Sequence, residues 1–282
     1  MSNEITTVFD TTTVPLLVFG GPYSNLRAVQ AIRATARTFG IGPEQTICTG
    51  DVVAYCAEPE ETVIAIRDWG CHVIAGNCEE QLAAGADDCG CGFALGTACE
   101  RAAKDWFAYA NRRISADSRA WMAALPGHLA FPYAGRRLRV VHGGVRQVNR
   151  FVFGSMTDVI AEELACADAD LVIGGHAGVP FVAKSGSSTW FNPGVIGMPA
   201  NDGTPAGWFG LIWYDGDDVI LETHRLSYDF AGAASAVSRA GHADGYARAL
   251  QTGLWPSLDV LPAAERAAAG RHLREISVRL AE

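Results

Sequence analysis

Short apolar runs alternate with amphipathic stretches along the first half of the chain, and the apolar runs end in glycine. "VPLLVFG" (14–20) reads as a buried strand. The next segment, "NLRAVQAIRATARTF" (25–39), places Leu26, Val29, Ile32 and Ala36 at helical spacing behind Asn25, a natural N-cap. "QTICTGD" is a second strand ending in Gly50-Asp51. Pro59 opens a helix with acids in its first turn and Gly70 at its end. "CHVIAGNCEE" is a third strand running into a polar turn. This β-α-β-α-β rhythm predicts a largely parallel, buried sheet.

Residues 83–130 break the rhythm. "AAGADDCGCGFALGTAC" is a glycine-rich loop; a helix near 98–112 and another from the N-cap Ser115 to Leu125 follow, so the region reads as a helical insertion. Strand patterns resume in "RRLRVVHGG", "ADLVIGGHAG", "STWFNPG" and "WFGLIWYDGDDVILETHRL", the last a hairpin turning at Asp215-Gly216. From about 231 onward the chain is alanine-rich and reads as a helical extension through "YARALQTGLWPSL" and "PAAERAAAGRHLREISVRL". No repeat or linker divides the 282 residues, which read as a single domain.

Composition narrows the classes. With 49% hydrophobic and 19% charged residues the chain is globular, and a net charge of -9 argues against coating nucleic acid. No apolar run is long enough to span a bilayer, and the polar, acidic start lacks the regions of a signal peptide, so a cytoplasmic setting is expected. Eight scattered cysteines suit reduced thiols better than a disulfide framework.

The chemistry sits at the strand ends, where open α/β sheets bind ligands. Asp51, Asn77, His142 and His176 each follow an apolar run and lie beside glycine. A carboxylate, an amide oxygen and two imidazoles form a ligand set for one divalent transition metal, Mn, Fe or Zn. Taken singly, each reads more simply as a cap or a surface group; four at successive strand ends point to a shared site.

The ordered motifs "GGPYSN", "TGDVV", "AGNCEE", "VVHGG" and "GGHAGVP" resemble those of the calcineurin-like metallophosphoesterases, in the small bacterial branch with diadenosine-tetraphosphatase-like members. There the order is Asp-x-His, Gly-Asp, Gly-Asn-His or Gly-Asn-Cys, a strand-end His, and Gly-His-x-His. "SRAWMAALP", "FNPGVIGMP" and "ILETHRLSYD" resemble that branch too, so the likeness covers about residues 14–230. It implies a four-layer α/β/β/α sandwich and two metals bridged by Asp51. One metal's ligands would be Asp51, Asn77, His142 and His176, all present. The other's remaining positions hold Gly21, Tyr23 and Gly178, so a second metal is doubtful.

The resemblance implies a phosphoesterase acting on a small mono- or diester, nucleotide-like substrates included, with Asp51 and His142 at the reacting centre. A pseudoenzyme that binds a phosphorylated ligand or a protein partner is the alternative. Tyr23 is placed to donate to the phosphate, or else packs as an aromatic. Cys78 stands where relatives protonate the leaving group, or is a buried inert thiol. Gly21 and Asn25 would line the substrate site. Arg146 would grip the phosphate in a fork, or lie on the surface. Cys89, Cys91 and Cys99 lack a standard metal-ligand spacing, and their loop reads more simply as a lid over the pocket.

Overall fold

Alternation along single strands builds the architecture. In the computed structural model, which describes residues 5–6, 13–94, 96–241 and 244–280, strand β2 (Leu16–Phe19) turns Leu16 and Val18 one way and Leu17 and Phe19 the other. All four are fully buried, so the strand has a hydrophobic layer on both faces.

Two six-stranded sheets share the inner layer. With β1 (Ile5–Thr6), β3 (Thr46–Cys48), β4 (His72–Val73), β5 (His128–Tyr133), β6 (Arg136–Val141), β7 (Leu171–Ile173), β8 (Phe181–Ser185), β9 (Ser188–Asn192), β10 (Gly207–Tyr214), β11 (Val219–Leu226) and β12 (Ser277–Leu280), one sheet runs β1-β5-β6-β7-β9-β8 and the other β12-β11-β10-β2-β3-β4. Leu16, Val18, Ile47, Phe131, Val140, Ile173, Phe191 and Ile212 interdigitate between them. On the outer face of the second sheet, Leu17, Phe19 and Phe209 pack on helices α1 (Leu26–Thr38), α2 (Pro59–Trp69), α4 (Ala98–Asn111) and α7 (Phe230–Ala240). α3 (Asn77–Ala84) and α5 (Ala116–Ala123) lie between β4 and β5 in sequence. On the outer face of the first sheet, α6 (Thr157–Cys166) sets Ile160 and Leu164 against Val172 and Trp190. The predicted four layers are therefore present.

Local signals place several elements. Asn25 caps α1 by accepting from the Ala28 N–H, Ser115 caps α5 through the Ser118 N–H, and Gly70 ends α2 at φ 76°. The Asp215-Gly216 turn joins β10 to β11 in antiparallel register. None of the helices among the described residues is long and apolar enough to cross a membrane.

Three expectations need correction. The third strand shrinks to two residues, because the chain leaves the sheet at Ile74 and enters α3 at Asn77. β5 begins at His128, inside the end of the predicted insertion. The C-terminal extension is only partly helical: α8 (Asp244–Thr252) and α9 (Ala263–Ala268) form, but Ser277–Leu280 pairs with β11 as the edge strand β12. Its Val278 and Leu280 pack on the inter-sheet core, and that burial outweighs local helix propensity.

Candidate functional site

The carboxyl ends of β3, β4, β6 and β7 meet at one end of the sandwich, each followed by a tight polar turn. Asp51, Asn77, His142 and His176 leave those turns and are all buried. Gly76 allows the approach, since a Cβ there would lie 2.7 Å from the Asp51 nitrogen and press on the Asp51 carboxylate. Asp51 itself is left-handed at φ 54°, a strained conformation for a non-glycine residue. Both the Gly175 and His176 N–H groups donate to the His142 carbonyl, at 2.7 and 2.8 Å, locking the last two turns together.

The side chains converge. His142 Nε2 lies 3.2 Å from Asn77 Oδ1, 3.3 Å from Asp51 Oδ2 and 3.0 Å from His176 Nδ1. His176 Nδ1 is 3.8 Å from Asp51 Oδ2. The ligand atoms of Asp51, His142 and His176 all lie within 4.8 Å of one another, so these three residues could hold a metal ion.

Donor–acceptor accounting sharpens this. His142 Nδ1 is 2.7 Å from the Thr49 carbonyl and can only donate there, which leaves Nε2 with its lone pair in the neutral ring. Asn77 Nδ2 donates to the Cys89 carbonyl at 2.8 Å, which turns Oδ1 inward. Two acceptor oxygens, Asp51 Oδ2 and Asn77 Oδ1, therefore face the His142 Nε2 lone pair in a buried space. Such a set repels itself unless a proton or a cation sits among its members, and donors sharing a small metal ion stand about 3–3.5 Å apart. The residues fit a divalent cation.

With only a proton to share, the charges settle unevenly. Burial by itself would raise the Asp51 carboxyl, but the facing imidazoles of His142 and His176 hold it well below the ordinary carboxylate range. Burial pulls on His142 as well, yet the Asp51 charge wins and raises that imidazole. For His176 burial dominates and lowers it. His176 Nε2 is buried without a hydrogen-bond partner, and the Phe151 ring lies 4.2 Å from the imidazole, centroid to centroid.

Glu79 frames the centre and was not singled out from sequence. Its carboxylate accepts from the backbone N–H groups of Asp51 (2.7 Å), Val52 (2.8 Å), Val53 (3.4 Å) and Gly76 (2.9 Å). Burial and the Asp51 charge push this carboxyl up to about 7, against the pull of the Gly76 N–H. In sequence Glu79 is one of two acids in a helix's first turn, a pattern that reads as dipole compensation. Glu163 plays a similar part for the turn after His142: it accepts from Val145 N at 2.5 Å and from Arg150 at 2.6 Å.

Gly21, Tyr23 and Gly178, the positions the resemblance gives to a second metal, hold no carboxylate or imidazole. The turn after β2 is left-handed at Gly21 (φ 40°), Tyr23 (φ 52°) and Ser24 (φ 56°), and it folds the Tyr23 ring back over Gly21. Beyond it opens a cavity of about 240 Å³, lined by Tyr23, Tyr55, Phe93, Phe151, Tyr246 and Trp255 together with His176 and Gly178. Burial, reinforced by the Asp51 charge, keeps the Tyr23 phenol protonated far into alkali.

Other predicted site residues are placed differently. Cys78 contributes its backbone, donating to Asp51 Oδ1 at 3.2 Å. Its thiol is buried, outside the cavity lining, and pushed well up by burial and the Asp51 charge. Asn25 spends its amide on the Ala28 N–H and the Gly197 carbonyl and does not line the cavity. Arg146 is exposed and also outside the lining. Cys89 and Cys91 are joined as a disulfide, against the expectation of reduced thiols, and Cys99 stands on the cavity wall. The glycine-rich loop lies against the site: the Cys89 carbonyl accepts from Asn77 and Phe93 lines the cavity.

Known proteins share this frame. A protein of Methanocaldococcus jannaschii is 23% identical over 77% of this chain and 89% of its own length. A metallophosphoesterase from Sphaerobacter thermophilus superposes with a TM-score of 0.67 at 20% identity, over 86% of this chain and all of that one. A hypothetical protein from Pyrococcus horikoshii reaches 0.71 at 16% identity, over 88% of this chain and all of its own. The model of the calcineurin-like phosphoesterase superfamily domain matches residues 24–212, beginning just after Gly21 and Tyr23. With that match spanning most of a chain whose two sheets bring Asp51, His142 and His176 together, the protein belongs to the calcineurin-like phosphoesterase superfamily.

Proposed function

We propose that the protein hydrolyses a phosphate mono- or diester at a centre for one divalent metal, held by Asp51, Asn77, His142 and His176. The observation that carries this reading is the convergence of a carboxylate oxygen, an amide oxygen and two imidazole nitrogens on one buried point around His142 Nε2. A bound Mn, Fe or Zn ion supplies an acidified water and polarises a phosphoryl oxygen. The chain's own residues do the rest. The Thr49 carbonyl fixes the His142 tautomer, so that Nε2 keeps its lone pair at the centre. Glu79 holds the Asp51 and Gly76 turns in register. Tyr23, kept neutral, offers a hydrogen-bond donor to a phosphoryl oxygen on the cavity side. In the reaction a water oxygen bonds to phosphorus, the bond from phosphorus to the leaving oxygen breaks, and that oxygen takes up a proton.

A second ion is not part of this reading, because Gly21, Tyr23 and Gly178 offer it no carboxylate or imidazole. The same depletion favours one other reading, a binder of phosphorylated ligands that turns nothing over. The two separate in one experiment. Protein loaded with Mn, Fe or Zn is assayed for bound metal and for cleavage of p-nitrophenyl phosphate and bis-p-nitrophenyl phosphate, beside Asp51→Ala. Near one equivalent of metal, with cleavage falling about a hundredfold or more in the variant, is the expected result. Metal-independent cleavage, or cleavage untouched by Asp51→Ala, overturns the proposal. Phosphate binding without cleavage selects the binder.

A further inference from the structure

The cavity next to the cluster has a chemistry of its own. Its aromatic wall is built from elements far apart in sequence: Tyr55 stacks edgewise on Tyr23 at 4.8 Å and lies 4.8 Å from Tyr246, while Trp255 comes from the C-terminal extension. No Lys, Arg, Asp or Glu lines it among the described residues, and His176, which also belongs to the cluster, is the one lining residue able to carry positive charge.

We propose that this cavity receives the uncharged aromatic leaving group of a phosphoester whose phosphoryl group lies at the Asp51–His142–His176 cluster. This rests on the phosphoesterase reading and names its substrate class as aryl phosphoesters.

Three observations point there. First, charge: a chain of phosphates entering the cavity would be stripped of water with no guanidinium or ammonium to meet it, a heavy desolvation cost. A neutral ring meets aromatic faces instead. Second, size: about 240 Å³ falls below the roughly 300–1,000 Å³ of pockets that enclose larger ligands, and suits one or two fused rings. Third, the leaving group. Cys78, the position from which a proton would be expected, is buried away from the cavity. An aryl oxygen needs little help. Its conjugate acid has a pKa near 10, about that of a tyrosine phenol, against about 15.7 for water. The bond from water oxygen to phosphorus forms, the bond from phosphorus to aryl oxygen breaks, and a proton from the attacking water passes to the aryl oxygen, so that it leaves as the neutral phenol.

The test uses the metal-loaded full chain and three phosphonates that it cannot hydrolyse: methyl-, phenyl- and 1-naphthylphosphonate. Binding is read by calorimetry and by quenching of tryptophan fluorescence, since Trp255 lines the cavity. Affinity is expected to rise about tenfold or more from methyl to naphthyl. Ala102→Trp and Val260→Trp, which fill the cavity from two different walls, should each erase that gain. Equal affinity across the series in the unmodified protein overturns the proposal, as does an aryl preference that survives both folded variants or tighter binding of a dinucleoside polyphosphate. Failures of the two readings look different. Aryl-selective binding with no ester ever cleaved sinks the hydrolase and spares the cavity. Cleavage of methyl and naphthyl phosphate with equal kcat/KM does the reverse.

Discussion

The ring of Tyr23 lies directly against the Cα of Gly21: a Cβ on Gly21 would stand 2.6 and 2.7 Å from the two ring Cε carbons. The residues at positions 21 and 23 are therefore coupled by packing. A side chain at position 21 and an aromatic at 23 exclude each other in this turn.

Gly21→Ala should lower stability by about 2 kcal/mol, through that overlap and the left-handed backbone. In a Tyr23→Ala background the overlap is gone, and the same change should cost about 1 kcal/mol less. Urea denaturation of the four proteins measures the difference. Strictly additive effects contradict the packing described for this turn.

Glu79 gathers four backbone N–H groups from two turns. Replacing it by Gln removes the charge and turns an amide donor towards some of those N–H groups. We expect Glu79→Gln to cost about 2–3 kcal/mol in stability. Metal binding should weaken as well, because Asp51 and Gly76 lose their anchor; a metal titration followed by thermal unfolding reads both.

The turn carrying His142 has its own anchor in Glu163. Glu163→Ala leaves the Val145 N–H and the Arg150 guanidinium without that partner, at an expected cost of about 2 kcal/mol. Glu163→Gln should recover part of it, since one oxygen still accepts from Val145. Hydrogen exchange should quicken around residues 143–150 more than in the neighbouring sheet, and uniform protection would argue against the anchor.

The thiols should divide sharply. Burial pushes the Cys71 thiol up to about 12 and raises Cys48, Cys56 and Cys78 as well, so few thiolates exist near neutral pH. Alkylation of the native protein at pH 8 should mark Cys99 and Cys166 first, with Cys89 and Cys91 joining only after reduction. Peptide mass spectrometry gives the order. Early labelling of Cys78 would contradict its burial.

What could be read from the chain, and what could not, follows distance. Asp51, Asn77, His142 and His176 were legible because each directly follows an apolar strand, so local pattern alone places it at a sheet end. The motif order then supplied the sandwich. Glu79 was hidden by its neighbour Glu80 and by the ordinary look of acids at a helix start. Glu163 reads as one more surface acid on α6 until its contact with Val145 is seen. The aromatic cavity was illegible for another reason: Tyr23, Tyr55, Tyr246 and Trp255 come from distant stretches, and only tertiary packing joins them. The edge strand β12 is similar, since a residue run with helical spacing was captured by the open edge of β11.

His176 has the ligand cluster at its Nδ1 and the cavity along its ring, where Phe151 holds it. Under the two proposals above, one side chain would answer to two occupants. A guest that shifted the ring would change how tightly a bound ion is kept, and thermodynamics would then require the ion to change the guest's affinity by the same factor. Naphthylphosphonate titrations with and without metal measure that reciprocity, and with it how far this centre senses metal supply and substrate as a single input.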